Sequence, residues 1–303
     1  ATAAALALGE TERDGGKKEN MVGSTSSLYM VDACSLAKAY VTAGISKGVQ
    51  LGQGPGPVAQ TEFPSSFEAF PSIVQDPTKT SPKPFRPMVA FGSRNEGNLP
   101  VLGRIYPIVD NVEWVERLCK LDGLADVQLR VKNESNKKRI EEIVQKCQNL
   151  CDQAGIRLWV NDHWEAAVKA KCFGVHMGQE DLVRCTEQGG LSQLLDNNIA
   201  LGLSTHSYGE LAVALGLKPS YISLGPVFAT KSKKVGFDPQ GLETVRKWRE
   251  LVSPEIPLVA IGGIGSPESA SAVRGAGADS IAVIGAVTQA ADPQSAVTSL
   301  NEA

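Results

Sequence analysis

The sequence has no apolar run approaching the ~20 residues that a membrane-spanning helix needs. It has no excess of one charge either: 30 Lys and Arg stand against 33 Asp and Glu in 303 residues. The first absence argues against a helical membrane span. The second argues against a nucleic-acid binder working by bulk positive charge, so any anion site has to be local. Cysteine is sparse, at six, with no Cys-x-x-Cys and no paired spacing. That speaks against a disulfide scaffold or a zinc site and for a reducing compartment. No Cys/His nucleophile signature occurs. No basic n-region opens the chain, so its start is not a secretory signal.

What is present is 42 % apolar residues, enough for a sizeable core, over a length that fits one barrel plus an attached piece. Ala1-Thr2-Ala3-Ala4-Ala5-Leu6-Ala7-Leu8 reads as a helix already under way, with no N-cap and with Gly9 placed to end it. The expectation is a fragment whose upstream part, with any targeting signal, is missing. The default location is then cytoplasmic, or a plastid for a eukaryotic source.

Composition divides the chain into three. Residues 1–60 hold helical stretches at 1–7 and 26–47, separated by a polar loop, and end in Gly52-Gln53-Gly54-Pro55-Gly56-Pro57, which cannot continue a helix. Residues 61–100 hold seven of the 17 prolines and show no regular period, which reads as an extended linker. From 101 onward short β-rich runs alternate with amphipathic helices. The strand candidates are 104–109, 127–131, 157–160, 173–176, 200–203, 221–224, 257–261 and 280–284. Ile140, Ile143, Val144, Cys147, Leu150 and Cys151 keep a 3–4 spacing, so the two cysteines are packed small hydrophobes rather than metal ligands. Eight βα units in ~200 residues read as a closed (β/α)8 TIM barrel. An open doubly wound sheet is the alternative, weakened because no Gly-x-Gly-x-x-Gly follows the first strand.

Chemistry in such a barrel gathers at the C-terminal ends of the strands. Alternation places Gln128, Arg130 and Lys132 on one face of the second strand, aimed at the barrel mouth. Two cations there need a counter-charge or an anionic ligand. Asn161-Asp162 follow the third strand and Gly178-Gln179-Glu180-Asp181 the fourth. Asp162 and Asp181 can converge as a Mg2+ site completed by water and substrate phosphate oxygens; helix capping is the alternative. Ser204-Thr205-His206 follow the fifth strand. Thr230, Ser232 and three lysines, Lys233 among them, follow the sixth as a loop able to close over an anion. Gly262-Gly263 and Ile284-Gly285 follow the last two strands, where barrels hold phosphate. Ser266-Pro267-Glu268 reads as a helix start with Pro at its first position. A zinc site of His163, His176 and His206 would compete with the aspartates for one space. The mouth therefore has a cationic, carboxylate-bearing side suited to a diphosphate with Mg2+, and a glycine-rich side suited to a monophosphate. That pattern fits joining two phosphorylated small molecules with loss of diphosphate.

At these residues, 104–303 resembles thiamine phosphate synthase. The matching runs are Gln128 to Lys132, Asn161-Asp162, Gly174-Val175-His176-Met177-Gly178-Gln179-Glu180-Asp181, Ser204-Thr205-His206, Gly225 to Lys233 and Val259 to Ile264. The resemblance implies condensation of hydroxymethylpyrimidine diphosphate with a thiazole monophosphate by a dissociative displacement. It implies that Gln128, Arg130, Lys132, Asn161, Lys233 and Ser204 hold the pyrimidine substrate. It further implies that Asp162 and Asp181 hold Mg2+, and that Thr230, Ser232, Gly262, Gly263, Ile284 and Gly285 hold the thiazole phosphate. The family usually carries Thr where Ser232 stands and Ser where Gly285 stands. A tautomerase-like relative and a non-catalytic phosphate-binding barrel are the competing readings. Residues 1–60 resemble the C-terminal end of hydroxymethylpyrimidine phosphate kinase, of the ribokinase-like fold, through Ala37-Lys38-Ala39-Tyr40-Val41-Thr42-Ala43-Gly44-Ile45 and Leu51 to Val58. The expected domains are thus 1–60, a 61–100 linker and a 101–303 barrel, in a bifunctional parent. The expected partners are phosphorylated small molecules, with no nucleic acid and no membrane; homo-oligomer formation is left open.

Overall fold

The computed structural model describes residues 25–54, 56–63, 65–74, 83–95, 97–132, 134–230 and 238–303. The expected helix at 1–7 and the polar loop after it lie outside them. Along the chain the elements are α1 (Thr25–Ser46), β1 (Ile105–Val109), α2 (Val112–Leu118), β2 (Asp126–Leu129), α3 (Lys137–Ala154), β3 (Arg157–Asn161), α4 (Trp164–Lys169), β4 (Gly174–Met177), α5 (Gln179–Glu187), α6 (Gly190–Asp196), β5 (Ala200–Thr205), α7 (Tyr208–Leu217), β6 (Tyr221–Leu224), α8 (Gly241–Leu251), β7 (Leu258–Ile261), α9 (Pro267–Gly275), β8 (Ser280–Val283), α10 (Gly285–Thr288) and α11 (Pro293–Glu302). Among the described residues no helix is long and apolar enough to cross a membrane.

The chain divides into two compact units. The first joins the described part of 1–80 to His206–Leu217. Ala33, Leu36 and Ala39 form the buried face of α1, while Val31 stays exposed. The Asp32 carboxylate accepts a hydrogen bond from Gly209 N at the head of α7. Burial holds that carboxyl above the usual aspartate range. Phe63 and Phe70 tilt against the Tyr208 ring, at 6.0 and 6.4 Å.

The second unit, Ser81–Thr205 with Lys218–Ala303, contains the barrel. Eight parallel strands close in sequence order, β8 pairing back onto β1. The strands are almost wholly buried because helices cover one side and the barrel interior the other, which is why they read as near-continuous apolar runs. All eight expected strands are present, with ends shifted by at most two residues. Inside, Tyr106, Trp159 and Tyr221 meet edge to face with centroids 5.0–6.0 Å apart. Gly174 and Gly202 make room for them. A Cβ on Gly202 would stand 2.1 Å from the Tyr221 ring, and one on Gly174 2.3 Å from Trp159.

The N-terminal end of the barrel is stoppered by residues 83–102, most of which fell in the expected linker. Met88 and Leu102 belong to the interior cluster with Tyr106 and Trp159. Val89 bridges to Val101, Phe85 N donates to Lys218 O, and Ser220 Oγ donates to Arg86 O. Beside this stopper lies Asp126, fully buried at the start of β2. Its oxygens accept from Gly103 N at 2.9 Å, Arg157 Nε at 2.8 Å, Arg157 Nη2 at 2.6 Å and Trp159 Nε1 at 2.8 Å. On α3 the expected stripe is inward: Ile140, Val144, Cys147 and Cys151 are buried, and burial pushes the Cys147 thiol up to about 12.

Candidate active site

At the end of β2, Gln128 turns into the barrel interior, is 1 % exposed, and donates from Nε2 to Tyr106 Oη at 3.2 Å. Arg130 is half-buried one residue beyond the strand, its backbone N donating to Val109 O at 2.7 Å. The strand stops at Leu129, two residues before its expected end. Alternation therefore no longer fixes the direction of Lys132, which is exposed.

Asn161 is the buried last residue of β3, in register with His176 on β4. Asp162 then takes a left-handed conformation, φ +65°, which Asp tolerates better than most side chains. Its N donates to His176 O at 2.9 Å and its O accepts from Trp164 N at 2.9 Å, folding the chain sharply into α4. The capping alternative does not describe either aspartate. The N-cap position of α4 is His163 and that of α5 is Gly178. Asp181 lies inside the first turn of α5, where the helix dipole favours a carboxylate, and it is ion-paired to Arg184. Asp162, His163, Asp181 and Arg184 border one cavity of about 240 Å3, whose other walls come from the surrounding helices, with Lys137, Glu141, Trp164 and Glu165 among them; Gln128, Arg130, Lys132, Asn161 and Ser204 do not line it. Burial lowers the His163 pKa, and the Asp181 charge partly opposes this. Among the described residues no cluster of three or more His, Cys, Asp or Glu forms a ready metal cage. Asp162 and Asp181 together are the kind of incomplete donor set that Mg2+ fills with water and substrate oxygens.

On the opposite rim Gly262 and Gly263 have φ of +101° and +69°. A side chain on Gly263 would collide with Phe228 Cβ at 2.6 Å, so this turn needs glycine. Ser266 caps α9 in a reciprocal box with Ser269, with Pro267 following, as its sequence predicts. Gly285 is the first residue of α10, after Ile284 at the cap position. Thr230 is half-buried. Ser232 and Lys233 lie outside the described residues.

Sequence reasoning did not single out the two interior tyrosines. Tyr221 Oη donates to Tyr106 Oη at 3.2 Å and lies 2.7 Å from His176 Nδ1; His176 Nε2 lies 2.9 Å from Ser204 Oγ. With the Tyr221 proton directed to Tyr106, the imidazole must donate from Nδ1. Nε2 is then the bare nitrogen and accepts from the Ser204 hydroxyl. This chain ties Gln128 to Ser204 across the barrel and leaves Ser204 lone pairs for a ligand donor. Burial raises both tyrosine pKa values, keeping the hydroxyls protonated. Gln179 Nε2 donates to Ser204 O at 2.7 Å and fixes the backbone there. The available signal was a tyrosine on the inward parity of an otherwise aliphatic strand.

A family model described as thiamine monophosphate synthase matches residues 101–287. The thiamine-phosphate synthases of Enterobacter sp. (strain 638) and Salmonella typhimurium are each 43 % identical over 196 residues, which is 65 % of this chain and 89 % of theirs. Among solved structures, a thiamine phosphate pyrophosphorylase from Pyrococcus furiosus superposes with a TM-score of 0.55 at 30 % identity. The alignment covers 66 % of this chain and 94 % of that one.

Proposed function

This chain belongs to the thiamine monophosphate synthase family, and on that premise we propose how its barrel mouth works. The enzyme condenses hydroxymethylpyrimidine diphosphate with thiazole monophosphate, giving thiamine monophosphate and diphosphate. The observation that supports our residue assignment is the placing of Asp162 just past β3 and of Asp181 in the first turn of the helix after β4, β3 and β4 being paired neighbours.

In this reading Gln128, Arg130, Lys132, Asn161 and Lys233 hold the diphosphate. Mg2+, held by Asp162 and Asp181, would neutralise charge on the leaving group. Thr230, Ser232, Gly262, Gly263 and the Ile284-Gly285 backbone hold the thiazole phosphate. Ser204 accepts from the pyrimidine amino group, which favours electron release into the ring as the C–O bond to diphosphate breaks. The thiazole nitrogen already has its lone pair, so no general base is needed. The protein's contribution is charge neutralisation and alignment of the two reactants.

Mixing both phosphorylated substrates with the protein should release diphosphate only when both are present, and EDTA should abolish the release. Release that ignores EDTA, or proceeds without the thiazole, would overturn the reading. Tyr221→Phe keeps the ring but cuts the link to His176. Loss of about one hydrogen bond's worth of alignment should lower kcat about tenfold with the circular dichroism spectrum unchanged; unchanged kcat would remove Tyr221 from the alignment of Ser204.

We read residues 1–60 as the end of a hydroxymethylpyrimidine phosphate kinase-like domain in a bifunctional parent. The support is sequence alone, in the runs 37–45 and 51–58. The 61–100 linker and the 101–303 barrel complete this division; the packing of Met88 and Leu102 into the interior cluster supports extending the barrel unit back to about residue 83.

A further inference from the structure

We infer that Gln179 is a positioning residue for the condensation. Its side chain holds Ser204, and the helical turn it opens carries Asp181. Gln179 thereby sets the span between the two ends of the pyrimidine substrate. This rests on the roles proposed above for Ser204, at the amino group, and for Asp181, at the diphosphate.

The need for such a residue follows from where the ladder between β4 and β5 stops. The two strands run parallel, with Gly174 opposite Ala200 and Met177 opposite Leu203. β4 ends at Met177, but β5 continues through Ser204 to Thr205. Main-chain groups of successive strand residues face alternate edges. Ala200 N donates to Phe173 O on the β4 side, whereas Leu201 O accepts from Ser220 N on the β6 side. Ser204 has the parity of Ala200, so its carbonyl faces the β4 edge. In a parallel ladder continued at this register, the donor to Ser204 O would be the main-chain N of residue 179. That rung does not form, because Gly178 is the N-cap of α5 and Gln179 opens the helix. The Gln179 side chain supplies the missing donor instead, Nε2 to Ser204 O at 2.7 Å. The amide orientation is fixed, since the flipped form would set two oxygens against each other.

Ser204 is thus held at two polar groups. Its hydroxyl lies 2.9 Å from His176 Nε2, and its carbonyl is bound by Gln179. Both holders come from β4 and the turn that follows it. Asp181 lies two residues beyond Gln179 in the same first turn of α5. One side chain therefore ties the turn that bears the carboxylate to the end of the strand that bears the hydroxyl. Without the Gln179 donor, the end of β5 loses this link to α5. The Ser204 hydroxyl can then drift from the pyrimidine amino group while Asp181 keeps its place. Small losses of alignment of this kind are costly to rate.

The test is a double-mutant cycle on the full chain, read as steady-state release of diphosphate with both substrates present. Gln179→Met removes the donor at nearly the same length and helix propensity, and Gln179→Leu removes it with a different shape. Each should lower kcat about tenfold, the scale of one lost hydrogen bond, with the circular dichroism spectrum unchanged. The KM for thiazole monophosphate should stay within about twofold of the parent value, because that substrate is held on the other rim. Ser204→Ala should lower kcat at least as much as either. In that background Gln179→Met should cost less than about twofold, since the hydroxyl it aligns is gone. A loss caused by general loosening of the fold would be repeated in full in both backgrounds. Parent-like kcat in both Gln179 variants, or an equal further loss on top of Ser204→Ala, would overturn the positioning role and leave Ser204 in its own. Parent-like kcat in Ser204→Ala would instead overturn the role given to Ser204, and this inference with it.

Discussion

Arg130→Ala should lower turnover at least tenfold. The guanidinium is half-buried just past β2, next to the strand that delivers Asn161 and Asp162. In the proposed mechanism it neutralises diphosphate as that group departs, so its contribution grows toward the transition state. A single fixed donor or cation of this sort contributes about 2–4 kcal/mol. The fall should appear in kcat as well as kcat/KM, because the charge it meets is greater in the departing diphosphate than in the bound ester. Arg130→Lys should recover part of the rate, since an ammonium restores charge but not the two-pronged geometry. Steady-state measurement of diphosphate release decides it: a near-normal rate for the alanine variant would remove Arg130 from the reaction.

Asp126→Ala should be the most destabilising single substitution in the barrel, by about 3–5 kcal/mol, the scale for breaking a buried ion pair from one side. The carboxylate is fully buried and accepts from three residues: Gly103, Arg157 and Trp159. Removing it strands the Arg157 guanidinium beside Arg86 and leaves the Trp159 indole N–H without its acceptor. Urea unfolding followed by tryptophan fluorescence measures the loss. A midpoint within about 1 kcal/mol of the parent would show that the surroundings relax around the gap.

Local patterns were legible in proportion to how local their causes are. The strands could be read because burial on both sides forces short apolar runs. The α3 stripe and the Ser266-Pro267 start of α9 could be read because helix spacing and capping act within a few residues. Asp126 could not, since its partners are 23 and more residues away and an isolated aspartate before a strand looks like a loop residue. The Tyr106–Tyr221–His176–Ser204 chain joins four strands through the barrel interior, and nothing in the sequence pairs β1 with β6. The stopper escaped detection for another reason. It inserts Phe85, Met88, Ala90 and Leu102 singly, with prolines between some of them, so no period of 2 or 3.6 arises. Lys132 lies three residues past Leu129, where β2 ends, so strand alternation does not fix the direction of its side chain.

The stopper also sets where this protein can be cut. An expression vector opening at residue 101, where the family match begins, would discard Phe85 and Met88 and leave the floor of the cylinder open to water. One opening just upstream of Phe85 would retain both, and the protein it encodes should unfold at higher urea than one cut at 101.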